Sequence, residues 1–156
     1  MRGPRVGVKA LVVRDRQVLM NRYTDADGHV VLALPGGGQE HGEHQVAALI
    51  RECQEEIGAT VEVHQIACLF EILTERRYRD GAPIPLFHQV NIAYWCDLAE
   101  GEEPGVGTDP DAGQDGTEWL SLDRLDDHDV RPVELKRWLQ SDPSSRPVSL
   151  GVCAPA

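Results

Sequence analysis

The stretch GGQEHGEHQVAALIRECQEEIGA, residues 37–59, joins a glycine-rich turn to one strongly patterned helix. From Glu43 to Ile57 the apolar residues Val46, Leu49, Ile50, Cys53 and Ile57 recur at spacings of three and four, which predicts a helix with one buried face. Gly58 stands where a left-handed C′ glycine closes a helix. The preceding Pro35–Gly38 turn can bring backbone close to a ligand, because glycine carries no side chain.

The same helix displays Glu52, Glu55 and Glu56, which at 100° per residue fall within about 100° of one another. Like charges this close destabilise an isolated helix by roughly 0.2–0.5 kcal/mol per pair, so a compensating partner is expected. Glutamates clustered on a helix are, taken alone, usually a solvated face. A hard divalent cation is the other solution: Mg²⁺ prefers oxygen ligands and is commonly held by one or two carboxylates plus substrate phosphates. Arg51, one turn before Glu55, is placed to pair with it.

Working outward, Val6–Val13 and Gln17–Arg22 read as two strands around the turn Arg14-Asp15-Arg16, and Val30–Leu34 as a third strand ending at the glycines. Beyond the helix, residues 60–74 and 86–98 are rich in Val, Ile and aromatics and predict long strands flanking an Arg-rich connection, residues 75–85. Residues 99–117 are acidic and hold five glycines and two prolines, which predicts a long loop with little regular structure, a kind of segment that is often functional. Order resumes at Glu118-Trp119-Leu120, and Val133–Leu139 predicts a short helix. The expected organisation is one α/β domain over residues 1–140 with a mixed sheet, followed by a mostly mobile tail, residues 141–156.

Composition narrows the function. The 156 residues hold 15 Lys and Arg against 26 Asp and Glu, a net charge of -11. The basic residues are scattered, which disfavours nonspecific nucleic-acid binding, whereas a small anionic substrate screened by a cation remains compatible. Cys53, Cys68, Cys96 and Cys153 form no CxxC pair and read as reduced thiols. Neither a signal-peptide pattern nor an apolar run of membrane-spanning length is present, so a cytoplasmic protein with no membrane partner is expected.

The ordered string Gly37, five residues, Glu43, seven residues, then Arg51-Glu52-Cys53-Gln54-Glu55-Glu56-Ile57-Gly58-Ala59 is similar to the Nudix box of the Nudix hydrolase family. Cys53 stands where the family usually has an aliphatic residue, and Ala59 replaces the usual larger one after the closing glycine. The resemblance implies an α/β/α sandwich of MutT-like type that hydrolyses a nucleoside diphosphate linked to another moiety with Mg²⁺ or Mn²⁺. It implies metal ligands at Glu52, Glu56 and the Gly36 carbonyl, a third carboxylate ligand at Glu55, a base role for Glu52 in some members, and structural support from Gly37, Glu43, Arg51 and Gly58. It further suggests a substrate contact at Arg22 and a loop carboxylate completing the metal shell, for which Asp111 is preferred over Asp109 and Asp115. His41, His44, His88, Trp95, Trp119 and Trp138 read as surface or core residues. Subgroup marks of NADH and coenzyme A pyrophosphatases are missing. A nucleoside triphosphate or related nucleotide is therefore the first expectation, with ADP-ribose or a nucleotide sugar, and a non-catalytic nucleotide sensor, as alternatives. Monomer and homodimer both remain open.

Overall fold

Strand β1 (Arg5–Arg14) turns Val8, Ala10 and Val12 to one side and Leu11 to the other, all essentially fully buried. A strand buried on both faces needs a layer on each. The computed structural model, which describes residues 3–74 and 87–153, supplies those layers as two helices. After a two-residue turn with positive φ at Asp15 and Arg16 (51° and 59°) the chain returns as β2 (Gln17–Thr24), the geometry that suits the twist of a tight hairpin. There follow β3 (Val30–Ala33), β4 (Gly36–Gly38), α1 (Gln45–Ile57), β5 (Val61–Thr74), β6 (Phe87–Leu98), β7 (Gln114–Ser121), β8 (Val130–Arg131), α2 (Val133–Gln140) and β9 (Ser149–Cys153). The sheet runs β8-β3-β2-β1-β6-β5-β9, with β7 added on β2 and β4 on β1, and it mixes parallel and antiparallel pairs.

One core lies under α1 and joins Val8, Ala10 and Val12 to Ala48, Leu49, Cys53, Ile57, Ala59, Tyr94 and Cys96. The other lies under α2 and joins Leu11, Phe70 and Ala93 to Leu135, Trp138 and Leu139. Both small residues of the box, Cys53 and Ala59, are thus packed against the sheet. The α/β/α arrangement is the one the box resemblance implies. All four cysteines are free and buried, and burial pushes each thiol up, Cys68 to about 11 and Cys96 to about 12. No described helix is long and apolar enough to cross a membrane.

Three details differ from expectation. Helix α1 begins at Gln45 rather than Glu43, and Val46 is 45% exposed while Ala48 takes its place in the core. The stripe that faces the sheet also includes Glu56, because Leu49, Cys53 and Glu56 follow one another at spacings of four and three. The chain beyond residue 140, expected as a mobile tail, docks. Arg146 caps the last carbonyls of α2 at Trp138 and Leu139 (2.9 and 2.8 Å) and lies 4.6 Å over the Trp138 ring, and β9 then pairs in parallel with β5. The Arg-rich connection, residues 75–85, and the last three residues lie outside the described residues.

The acidic stretch after β6 is less a free loop than a brace. An α-helix leaves its last four carbonyls without intrahelical donors. Here Thr108 N and Asp109 N donate to the carbonyls of Gln54 and Glu55 (3.3 and 2.9 Å), Gln114 Nε2 to that of Glu56 (2.9 Å), and Gly105 N to that of Ile57 (2.7 Å). The loop then turns into β7, which begins at Gln114, inside the region read as irregular.

Candidate active site

Strand β1 changes partners along its length, and that fork makes the site. Its first half pairs with β4 (Lys9↔Gly36, Val8↔Gly37), and its far end pairs with β2 (Val13↔Val18). The three-glycine strand therefore lies against the end of α1 that carries the glutamates. A Cβ at Gly37 would sit 2.4 Å from the Glu52 carboxylate and would force that side chain to move. Gly36 has φ 134° and its Cβ would sit 2.0 Å from the Val8 carbonyl oxygen.

Glu56 is the buried centre, 2% exposed. Its Oε2 accepts hydrogen bonds from Gly36 N and from Asn21 Nδ2 of β2, both at 2.7 Å. Its Oε1 is buried with no partner, and so is Asn21 Oδ1. Buried acceptors left without donors cost about 1–3 kcal/mol each, unless a bound group satisfies them. The Glu56 carboxyl is pushed up to about 8, by burial first and the nearby Asp111 carboxylate second, while the Gly36 N–H and the Lys9 charge oppose the rise.

Arg51 organises the remaining carboxylates. Its guanidinium donates to both oxygens of Glu43 (2.9 and 3.0 Å), to Glu52 (3.0 Å), to Glu55 (3.1 Å) and to the Gly38 carbonyl (3.1 Å). This bidentate pair holds Glu43 well down, to about 2. Glu52, half-buried against Gly37, is raised by burial while Arg51 pulls it back. The three glutamates are thus unequal: Glu56 is sealed, Glu52 is 13% exposed and Glu55 is 32% exposed.

On the β2 side, Tyr23 Oη donates to Asp111 Oδ2 at 3.1 Å, and Thr24 Oγ1 to Asp115 at 2.6 Å. Arg22 stands 3.7 Å from Asp115 and 3.8 Å from Glu118, with its Nε otherwise unpartnered. Of the three loop aspartates, Asp109 is used through its backbone and Asp115 is tied to Thr24, which leaves Asp111 as the one beside Glu56. A cleft of about 360 Å³ opens here between Glu56, Val106, Gly107, Pro110 and Thr117.

Among the described residues, no three His, Cys, Asp or Glu side chains form a ready-made metal cluster. The donor set is instead hard and oxygen-only, with two orphaned buried acceptors and a backbone carbonyl at Gly36, which suits Mg²⁺ or Mn²⁺. His41 and His44 take no part, and His88 contacts Glu71 on β5. Trp95 packs on Trp138 at 5.9 Å between ring centroids, and Trp119 lies under Arg14. Asn21, Tyr23, Lys9 and Gln114 were missed by sequence reasoning.

One prediction follows from Glu56 alone. With its carboxyl at about 8 in the folded chain against an ordinary 4.5, the folded state binds more protons across that window. The metal-free protein is therefore expected to lose stability as pH rises from about 5 to about 9. Thermal unfolding after chelation checks this, with Glu56→Gln expected to flatten the slope.

A glycine strand thus lies against a buried carboxylate, an arginine gathers three more, and the donors around them are oxygen atoms. The family model for the NUDIX domain matches residues 3–139, and the chain belongs to that family as a Nudix hydrolase, an enzyme acting on phosphorus-containing acid anhydrides. The fold is similar to the crystal structure of a NUDIX hydrolase from Nitrosomonas europaea (TM-score 0.67, 19% identity, covering 99% of this chain and 81% of that one). It is also similar to a MutT NUDIX hydrolase from Burkholderia pseudomallei (TM-score 0.55, 28% identity, 78% and 86% covered). A third similar structure is an ADP-ribose pyrophosphatase from Streptococcus suis (TM-score 0.53, 18% identity, 79% and 78% covered).

Proposed function

We propose that the protein is a divalent-metal-dependent pyrophosphohydrolase of a nucleoside triphosphate or related nucleotide. The observation that carries the reading is the sealed Glu56 with its orphaned Oε1 beside the Gly36 backbone. Glu52, Glu56, Asp111 and the Gly36 carbonyl would hold Mg²⁺ or Mn²⁺, with Glu55 at the outer edge. When bound, the ion offsets phosphate charge and acidifies water in its shell. Glu52, the less sealed of the two inner glutamates, receives the proton of the attacking water. Arg51 bridges Glu52 and Glu55, and Glu43 holds Arg51 in place. Arg22, paired only at 3.7 Å or more, is free to turn toward a substrate phosphate. Attack on phosphorus releases a phosphate-bearing leaving group. ADP-ribose or a nucleotide sugar is the second reading, favoured by the similarity to the streptococcal ADP-ribose pyrophosphatase.

A nucleotide panel assayed with Mg²⁺ and read by product masses tests the substrate class. Exhaustive chelation is expected to abolish turnover, because clustered carboxylates and a polyphosphate repel one another without a cation. Undiminished turnover would refute the metal role. Asp111→Asn is expected to shift the Mg²⁺ activation curve by about 1–2 kcal/mol, the worth of one charged partner. The Asn variant at 109 should leave it in place, since Asp109 serves through its backbone N–H.

A further inference from the structure

Lys9 stands in β1 between Val8 and Ala10, which are fully buried toward α1. Lys9 faces Gly36 across the β1–β4 ladder, and its Nζ donates to the Gly36 carbonyl at 3.0 Å. Its charge also reaches Glu52 and Glu56, opposing the burial that raises both. One backbone oxygen and two carboxylates around a positive charge form the same pattern of partners that the proposed metal ion would have. An ion bound to that carbonyl at about 2.1 Å would meet the ammonium group within a few ångströms, where repulsion in a partly buried site is large.

We propose that Lys9 is the resident counter-cation of the metal-free site, and that it competes with the divalent ion for the Gly36 carbonyl. Metal entry then requires the Lys9 side chain to swing away, so this residue sets metal affinity without being a ligand. The inference rests on the metal-site reading above.

The test uses the full chain, stripped of metal, as wild type, Lys9→Met and Lys9→Gln. Mn²⁺ is titrated in and the free ion is followed by electron paramagnetic resonance, while thermal unfolding of each metal-free protein is measured in parallel. Lys9→Met keeps the packing of the stem and removes the charge; Lys9→Gln retains a donor for the carbonyl. Both are expected to bind Mn²⁺ at least about fivefold more tightly, the lower range of a site-to-site coupling. Both are also expected to melt lower without metal, Lys9→Met the more so. A merely structural lysine would lower the melting temperature and leave Mn²⁺ affinity unchanged or weaker, and that result in both variants overturns the proposal. If wild type binds no Mn²⁺, the metal reading fails separately. An unchanged metal-free melting temperature in Lys9→Met then overturns the counter-cation role as well.

Discussion

Replacing Glu56 by Gln is expected to lower kcat by at least about 10²-fold while leaving the fold intact, the scale on which single charged groups at reacting centres act. Glutamine is isosteric, and its one carbonyl oxygen can accept both hydrogen bonds that Oε2 now takes from Gly36 N and Asn21 Nδ2. What disappears is the negative charge at the orphaned oxygen. A charge sealed at 2% exposure is unfavourable to the metal-free fold above neutral pH, so the same variant should melt higher than wild type at pH 8 without metal. Lower turnover with higher apo stability is the signature of a group kept for function rather than folding. Glu52→Gln should lose activity on a similar scale with a smaller stability gain, since Glu52 is less buried and already compensated by Arg51. Steady-state kinetics and metal-free melting curves on both variants decide the matter, and near-wild-type rates in both would show the site assignment to be wrong.

Gly107→Ala is expected to destabilise the protein by about 3 kcal/mol, near the upper end for forcing atoms into a packed contact. A Cβ at this position would sit 1.9 Å from the Glu55 carbonyl oxygen and 2.4 Å from its carbon, backbone atoms that no rotamer change can move. Relief requires lifting the loop from α1, which puts at risk the donors to the Gln54, Glu55, Glu56 and Ile57 carbonyls together. It would also displace Asp111, four residues on, from its place near Glu56. Gly105→Ala is the control, because nothing lies within 4 Å of a Cβ there and a change within about 0.5 kcal/mol is expected. Urea unfolding of the two variants separates the outcomes; equal midpoints would show that the loop does not clamp the helix.

Helix α1 was legible because its information is local. Spacings of three and four identify the buried stripe, Gly58 marks its end with φ 62°, and Arg51 pairs with Glu55 one turn along. Even Glu56's position on the core stripe was contained in its distance from Leu49 and Cys53. The tail was misread because Arg146, Trp138 and β9 are held by contacts with α2 and β5, which no pattern within residues 141–156 expresses. Asn21 and Lys9 were passed over for a similar reason, since each is ordinary in its own strand and acquires its role only opposite Glu56 or Gly36.

From its order of residues alone, this chain specifies a Nudix box, one amphipathic helix bearing three glutamates, and strands long enough for a two-faced sheet. These follow from periodicity and backbone chemistry, which act over a few residues. Only the tertiary structure decides that Glu56 is sealed while Glu55 is open, that Asp111 rather than Asp109 or Asp115 approaches it, and that Gly107 cannot bear a side chain while Gly105 can. Burial, field and steric contact are set by segments that meet only when β1 forks between β4 and β2 and the loop folds back over α1, distances in space that sequence separation does not encode.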